Sequence, residues 1–243
     1  MSCCPYNLFL KGAESIDSQA GDADVSKPFK VIIVDDELIS RGFMELLIKP
    51  SNDYQIIAAM PFAKDALIWC RENEKPDLII MDVMMEKGVD GLTAAAQIKK
   101  EYPKIRIIVS TSMSDADWLE KAKAAGIESF WFKTYSELSL LEVMERTMAG
   151  ESVYPEEAPA VMLGDIPATE LTKQQRTMLR LLIDGLSNRE IAEEMHFSPN
   201  TIKDHMDALM LKTGIHSRTA LVAQASRLGV VVSDHDRLEK PKT

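Results

Sequence analysis

Short apolar runs alternate with helical patterns between residues 29 and 149. Uninterrupted apolar runs of this kind are typical of strands that are buried on both faces of a parallel sheet. The pattern predicts five strands, at 30–34, 55–60, 77–82, 105–110 and 129–133, and five helices, near 38–49, 64–73, 91–101, 115–125 and 136–149. Five such strand–helix units predict an α/β domain with a doubly wound, five-stranded parallel sheet.

The last quarter of the chain has a helical pattern throughout. A Ser or Thr in the capping position precedes each apolar-periodic segment, which predicts four helices, at 173–183, 188–195, 199–212 and 217–228. Two short helices joined by a tight turn, here at His196 and Phe197, are typical of a helix-turn-helix. We therefore expect an all-α, four-helix domain after the α/β domain.

The segments around these two regions lack such periodicity. Residues 150–167 contain three prolines and two glycines, which predicts a linker between domains. Residues 1–28 mix Gly, Ser, Asp and Ala without periodicity, and residues 233–243 are charged, so both ends of the chain are predicted to be flexible. The expected organisation is an N-terminal extension (1–28), an α/β domain (29–149), a linker (150–167), a helical domain (168–232) and a flexible tail (233–243).

Composition excludes some classes of protein. The 243 residues are 46% apolar, which is enough for two ordinary cores. No apolar run approaches the ~20 residues of a membrane span, and the start MSCCPYNLFLKG does not have the pattern of a secretory signal. We therefore expect a cytoplasmic protein that has no membrane contact. Cys3 and Cys4 could bind a metal or sense redox state, but no further ligand follows at metal-site spacing.

The net charge of −10 is distributed unevenly. From Glu170 onward there are 11 basic and 10 acidic residues, whereas the preceding part has 17 and 28. The acidic part is not expected to touch DNA. The C-terminal part is nearly neutral, so a DNA-binding interpretation depends on where its individual charges lie.

Five acidic, hydroxyl or basic side chains follow or end predicted strands: Asp35, Asp36, Asp82, Thr111 and Lys133. Because ligands bind outside the carboxyl ends of parallel strands, we expect them to form one site. Crowded carboxylates attract a hard cation such as Mg²⁺, and a carboxylate can attack phosphorus to form an aspartyl phosphate. A lysine and a hydroxyl can then bind the phosphoryl oxygens. The alternative, five unrelated loop residues, does not explain the clustering.

Several motifs carry a resemblance to a known family: V-D-D-E at 34–37, M-D-V-M-M at 81–85, D-G at 90–91, S-T at 110–111 and F-W-F-K at 130–133. On these motifs, residues 30–149 resemble the receiver domain of bacterial two-component response regulators, which has a flavodoxin-like fold. The resemblance implies that Asp82 accepts a phosphoryl group from a sensor histidine kinase. It implies Mg²⁺ ligation by Asp36 and Asp82, with help from Asp35 and from the backbone carbonyl of Met84.

The resemblance also implies a switch. Thr111 would turn toward the phosphoryl group together with Phe130, and Lys133 would pair with the phosphate. Two positions depart from the family pattern. Glu86 stands where many receivers have proline, in a loop (86–91) one residue longer than usual, and Thr134 replaces the proline that often follows the lysine. The second change puts the usual cis peptide in doubt.

The predicted helix 199–212 has a buried stripe of Ile202, Met206 and Leu209, and polar residues lie off that stripe. Its N-terminal part would reach base edges, where Asn can pair with adenine and Lys with guanine. Asp204 and Asp207 are unfavourable near DNA unless they accept from cytosine. A helical bundle with a solvated polar face is the alternative.

The segments G-L-S-N-R-E-I-A-E-E-M at 185–195 and S-P-N-T-I-K-D-H at 198–205 resemble the LuxR/NarL-type output domain. The resemblance implies that the third helix enters the major groove and that dimers form, often through the fourth helix. One departure is Gln174-Gln175, where the family usually has Arg-Glu. The candidate DNA contacts are Asn188, Arg189, Ser198, Asn200, Thr201, Lys203, His205 and Lys212.

Together these features predict a DNA-binding transcription regulator controlled by aspartyl phosphorylation, and not an enzyme. The expected partners are a histidine kinase, double-stranded DNA at paired half-sites, and a second copy of the chain when phosphorylated. A binding module that ignores phosphorylation is the second hypothesis, favoured by Glu86 and Thr134. A phosphatase is the third, but Met84 stands where a second acid is needed, and no G-x-x-x-x-G-K-S/T motif occurs.

Overall fold

The computed structural model describes residues 27–85 and 90–231. The N-terminal part forms one parallel sheet of five strands in the order β2-β1-β3-β4-β5. The fold class predicted from the sequence is therefore confirmed. The strands are β1 (Phe29–Val34), β2 (Tyr54–Met60), β3 (Leu78–Asp82), β4 (Arg106–Thr111) and β5 (Ser129–Phe132).

Five helices cover the two faces of this sheet: α1 (Leu38–Ile48), α2 (Ala63–Glu72), α3 (Gly91–Glu101), α4 (Asp117–Ala124) and α5 (Leu140–Met148). Successive residues of a strand point to opposite faces, so each strand contributes side chains to the core on either face of the sheet. In β1, Ile32 packs in the core beneath α2, α3 and α4, whereas Ile33 packs in the core beneath α1 and α5.

Helix α5 begins later than predicted. The pattern indicated a start at 136, but Ser139 caps the helix in a full capping box with Glu142. This local device satisfies the first free N–H groups of the helix and fixes its start at Leu140. Residues 133–138 instead form the turn that carries Lys133 past the end of β5.

The segment predicted as a linker has structure of its own. The Val153 carbonyl accepts from the Phe130 backbone N–H at 2.9 Å, and the Tyr154 hydroxyl donates to the Ile127 carbonyl at 2.9 Å. Residues near 153 therefore cover the open edge of β5. An antiparallel pair, β6 (Met162–Leu163) and β7 (Ile166–Pro167), and a short 3₁₀ helix (Ala168–Glu170) follow. Neither was predicted.

The C-terminal part contains four helices around a separate core: α6 (Lys173–Ile183), α7 (Asn188–Met195), α8 (Pro199–Thr213) and α9 (Arg218–Arg227). Capping boxes start α6 and α7, and Ser198 caps α8, as the sequence indicated. His196 takes a left-handed conformation (φ 57°) at the turn between α7 and α8. The predicted stripe of Ile202, Met206 and Leu209 is buried. None of the described helices is both long and apolar enough to cross a membrane.

Gly91 holds the start of α3 against the end of β3. Its N–H donates to the Val83 carbonyl at 3.0 Å. A Cβ at this position would lie 1.7 Å from the backbone oxygen of Asp82. Because backbone atoms of a central strand cannot move aside, only glycine fits here.

We predict that Gly91→Ala lowers the free energy of unfolding of the α/β part by more than ~2 kcal/mol, because its methyl group overlaps the backbone of β3. Gly42→Ala in α1 is the matched control, since a Cβ there meets no atom within 4 Å. That control should be neutral or stabilising by up to ~1 kcal/mol.

Urea unfolding followed by tryptophan fluorescence measures both changes. All three tryptophans, Trp69, Trp118 and Trp131, lie in the α/β part, so the signal reports chiefly on the unfolding of that part. Equal unfolding midpoints for Gly91→Ala and the unsubstituted chain would contradict the close approach of α3 to β3.

Candidate functional site

A cavity of about 650 Å³ opens at the carboxyl edge of the sheet. The loops after β1, β3, β4 and β5 all contribute to its wall. The cavity therefore brings together six of the seven predicted catalytic and metal-binding residues: Asp35, Asp36, Asp82, Met84, Thr111 and Lys133. These residues are far apart in the chain, and the parallel sheet alone places them side by side.

The Lys133 ammonium lies between two buried carboxylates. Its Nζ donates to Asp82 Oδ1 at 2.5 Å and also to Asp35 Oδ2. The side chains of Asp35 and Asp82 are 1% and 7% exposed, and that of Lys133 is 12% exposed. Two negative charges thus share one positive charge in a part of the molecule from which water is largely excluded.

Asp35 is fixed in place by the start of α1. Its carboxylate accepts from the Glu37 backbone N–H at 2.9 Å and from the Ser40 hydroxyl at 2.5 Å. The sequence analysis did not identify Ser40. A hydroxyl in the first turn of the helix that follows an acidic pair is the available signal, and it is weak because such residues are common at helix starts.

Thr111 and Phe130, the predicted switch pair, lie on the neighbouring strands β4 and β5. Thr111 is buried, and its Oγ1 accepts from the Met113 backbone N–H at 3.1 Å. Phe130 does not line the cavity. Its ring is buried in the core beside β5, 5.0 Å from the Phe132 ring centroid and 6.3 Å from that of Tyr154.

Burial raises the pKa of Asp82 to about 7. Loss of water is the largest cause, and the charge of Asp35 adds to it, whereas Lys133 and the Met84 N–H act in the opposite direction. For Lys133, burial lowers the pKa, but the charges of Asp82 and Asp35 outweigh burial and raise it. The site therefore holds an acid whose protonation changes near neutral pH.

The donor set of this cavity suits Mg²⁺. Two buried carboxylates face a single ammonium, so a further cation relieves an excess of negative charge. Mg²⁺ retains several waters and requires only one or two protein carboxylates. Within residues 27–85 and 90–231, no three His, Cys, Asp or Glu side chains converge closely enough to form a complete metal cage. The residues thus fit an open, partly hydrated Mg²⁺ site.

The two departures from the receiver pattern have different outcomes. Glu86 lies outside the described residues. Thr134 follows Lys133 directly, and the peptide between them is trans. Lys133 keeps its contacts with Asp35 and Asp82 with threonine in the following position.

Helix α8 exposes a polar face at its N-terminal end. Asn200, Lys203 and Asp204 are exposed, while Thr201 is half-buried and its hydroxyl bonds to that of Ser198 at 2.8 Å. His205 is half-buried and packs 5.6 Å from the Phe197 ring centroid.

The other predicted DNA contacts have partners within the domain. The Asn188 side chain accepts from Arg218 at 2.7 Å, and Lys212 Nζ donates to the Glu170 carbonyl at 2.8 Å. Arg189 is exposed and pairs with Glu193, four residues further along α7, at 3.4 Å. Asn188 thus has a structural role that the sequence analysis did not identify.

Two family models match the chain, and they cover both of its folded parts. The receiver domain of response regulators matches residues 31–145, and the bacterial regulatory proteins of the luxR family match residues 169–225. Response regulator protein VraR from Staphylococcus aureus strain MW2 is 31% identical over 201 residues, which span 81% of this chain and 95% of VraR. The chain belongs to the response regulators. It joins a receiver domain to a LuxR-type DNA-binding domain.

Solved structures of RcsB have the same fold as this response regulator. RcsB from Salmonella enterica serovar Typhimurium, bound to the rprA promoter in the presence of the phosphomimetic BeF3⁻, is 22% identical with a TM-score of 0.55. A second RcsB–DNA complex is 23% identical with a TM-score of 0.55. Each match covers 84% of this chain and 100% of RcsB.

The raised pKa of Asp82 predicts how the stability of the receiver domain changes with pH. An unfolded aspartate ionises near pH 4, whereas folded Asp82 ionises near pH 7. Between these values the folded chain binds the extra proton, so ionisation of Asp82 makes folding less favourable as pH rises through this window. Above pH 7 Asp82 is ionised in both states, so the loss of folding free energy is complete and no longer changes with pH.

We predict that Asp82→Asn removes this cost. Without Mg²⁺, its gain in unfolding free energy over the unsubstituted chain should grow by about 1–3 kcal/mol from pH 5 to pH 8. Tryptophan fluorescence in urea at both pH values measures the difference. A gain that stays constant, or that grows toward low pH, would show that Asp82 is not the titrating group.

Proposed function

We propose that a sensor histidine kinase phosphorylates Asp82 and that this event controls DNA binding by the output domain. The observation that carries the proposal is the buried cluster of Asp82, Lys133 and Asp35 at the end of the parallel sheet. A buried acid of raised pKa next to a lysine and a second acid is typical of a reactive site. The receiver domain supports a kinase as the partner, and a DNA target supports a cytoplasmic site of action.

In the proposed reaction, an Asp82 carboxylate oxygen attacks the phosphorus of a phosphohistidine. The new O–P bond forms as the N–P bond breaks, and the histidine nitrogen leaves with the bonding electrons. Lys133, which already contacts the Asp82 carboxylate, balances charge on the phosphoryl oxygens. The reaction needs Asp82 in its ionised form, so it favours pH values near or above 7.

The residues that we propose to hold Mg²⁺ are Asp35, Asp36, Asp82 and the backbone carbonyl of Met84. When bound, the cation supplies positive charge against the phosphoryl oxygens. The Ser40 and Glu37 contacts keep Asp35 oriented toward the site, so Ser40 acts as a positioning residue.

The response to phosphorylation begins at Thr111. In the proposed switch, its hydroxyl turns to donate to a phosphoryl oxygen and gives up the Met113 N–H that it now accepts from. Phe130 moves with it. The phosphoryl group shifts the population toward the active state only by the difference between its interaction free energies with the active and the inactive state.

Output requires α8 in the major groove of DNA. The exposed side chains of Asn200 and Lys203 near the start of α8 are the proposed base-reading residues. Arg189, Thr201, His205, Ser198, Asn188 and Lys212 are proposed to contact the backbone or to orient α8. Paired half-sites would be bound by a homodimer that forms on phosphorylation, with α9 in the dimer contact.

Incubation with acetyl phosphate and Mg²⁺ should add one phosphoryl group to the chain. Asp82→Asn should abolish the adduct because it removes the nucleophilic oxygen, whereas the exposed Asp53→Asn should keep it. Intact-mass spectrometry measures the adduct on the parent chain and on both variants. An adduct on Asp82→Asn would place the acceptor at another residue. A parent chain that is folded but unmodified would favour a DNA-binding module that does not depend on phosphorylation.

Lys203→Ala should weaken binding of the phosphorylated chain to a duplex selected from a random pool by about tenfold. Lys173→Ala, in the same domain but off α8, is the control. Fluorescence anisotropy at several salt concentrations distinguishes a base contact of Lys203 from a phosphate contact. Loss of a base contact relaxes sequence preference, whereas loss of a phosphate contact lowers the dependence of log affinity on log salt concentration by about one. If affinity and salt dependence were both unchanged, Lys203 would not be a DNA contact.

A further inference from the structure

Helix α1 is apolar on two sides. Its inner side chains, Met44 and Ile48, are buried against the sheet. The described part of the chain exposes ten large hydrophobic side chains, and four of them, 52–79% exposed, lie on the outer side of α1: Leu38, Ile39, Phe43 and Leu46. A helix that is apolar all round is normally buried, and an exposed apolar patch usually marks a binding surface.

These four side chains form one continuous face around a glycine. Leu38, Gly42 and Leu46 are spaced four residues apart and form one row along α1, and Ile39 and Phe43 form the row beside it. Gly42 lies in the middle, where a Cβ would meet no atom within 4 Å. The face therefore has a shallow recess at its centre that an apolar side chain of another segment can fill. We call Leu38, Ile39, Gly42, Phe43 and Leu46 the outer face of α1.

The chain enters the sheet beside the end of this helix. Helix α1 ends at Ile48, and the short loop 49–53 leads from it to β2. The backbone N–H of Phe29, the first residue of β1, donates to the Asp53 carbonyl at the end of that loop at 2.8 Å. The sequence that precedes β1 is therefore attached next to the last turn of α1, where Leu46 lies.

The sequence before β1 contains one apolar cluster. Residues 6–10, which we call the N-terminal segment, read Tyr-Asn-Leu-Phe-Leu, whereas residues 11–26 are mostly small or acidic. The segment lies outside the region that matches the receiver family, residues 31–145, so the family assigns it no role. Its apolar side chains would gain free energy from burial, as would those of the outer face of α1.

The tether between the N-terminal segment and β1 is long enough to bring the two apolar surfaces together. A flexible chain of the length of residues 11–26 spans about 22 Å on average and about 55 Å when fully extended. Helix α1, with 11 residues, is about 16 Å long. The segment can therefore reach every part of the outer face of α1 from its attachment beside Leu46.

The size of the outer face favours the chain's own segment over a second folded chain. A stable interface between two folded proteins needs about 800 Å² from each partner, which four side chains of one short helix do not supply. A tethered segment needs less area, because a short flexible linker gives it a local concentration in the millimolar range. The outer face of α1 thus suits a small apolar occupant that belongs to the same chain.

We propose that the N-terminal segment binds to the outer face of α1 of the same chain, with an apolar side chain in the recess above Gly42. The face begins two residues after Asp36, which lines the cavity that contains Asp82. A protein that approaches Asp82 over α1 therefore has to displace the segment, whereas a small phosphodonor does not. This consequence rests on the proposed function, but the binding of the segment does not.

The chain's own cysteines allow this binding to be measured by cross-linking in the full chain. Cys3 and Cys4 precede the N-terminal segment, whereas Cys70 is buried. Glu45→Cys adds an accessible thiol at the border of the outer face of α1, beside Leu46. A short bis-maleimide links thiols that lie close together, and peptide mass mapping identifies the linked residues.

Glu74→Cys is the matched control. Glu74 contacts Lys30, so it also lies near the start of β1, but it follows α2 on the other side of the sheet. Cys3 and Cys4 can reach it through the same tether without contact between the segment and α1. Circular dichroism and urea unfolding establish that each variant is folded.

Cross-linking to Glu45→Cys should be at least about tenfold faster than cross-linking to Glu74→Cys. Phe9→Ser in the N-terminal segment and Leu46→Ser on the outer face should each abolish this difference, because each removes one side of the apolar contact. Val25→Ser removes an apolar side chain from the tether and should leave the difference unchanged.

Equal cross-linking rates at Glu45→Cys and Glu74→Cys would overturn the proposal and leave the outer face of α1 open to another protein. Links between two chains that increase with protein concentration would overturn it in favour of a second copy. None of these measurements involves phosphorylation. Failure of the segment to bind is therefore distinguishable from failure of the proposed function, which the acetyl phosphate adduct on Asp82 tests separately.

Discussion

The structure depends on one buried ion cluster in which the Lys133 ammonium holds two carboxylates. Asp35 and Asp82 come from adjacent strands, β1 and β3, and Lys133 follows the edge strand β5. Buried charges are tolerated only with partners, and here the partners are unequal in number. The excess negative charge creates the demand for a cation. Burial, with a smaller contribution from the charge of Asp35, raises the pKa of Asp82. The chemistry proposed for the site thus arises from an imbalance that the fold maintains.

Rigid packing around the site maintains this imbalance of charge. The central strands are buried on both faces, and Gly91 allows α3 to close against the backbone of Asp82. Ser40 and the Glu37 N–H fix Asp35 from the other side. Thr111, in contrast, leads into a loop whose contacts are made with another domain. The proposed nucleophile is therefore held by rigid elements, while the proposed switch residue is connected to a loop that contacts the other domain.

Sequence reasoning was most successful where the physical signal is local. The strands and the capped helices follow from periodicity and from Ser or Thr at helix starts, and the rim of the parallel sheet predicted that Asp82, Thr111 and Lys133 meet. Contacts between distant segments were not predictable in this way. Arg176 and Arg180 have the spacing of ordinary solvated residues on a helix, and nothing local indicates that Asp115 and Asp117 cover them. The pairing of Val153 with the edge of β5 was missed for the same reason.

We propose that the phosphorylation state of Asp82 sets the affinity of the output domain for DNA. The most direct test is the dissociation constant for one selected duplex, measured on the same preparation before and after phosphorylation, with Asp82→Asn in parallel. We expect tighter binding only when Asp82 carries the phosphoryl group. Equal affinity of the modified and unmodified chain would contradict the account.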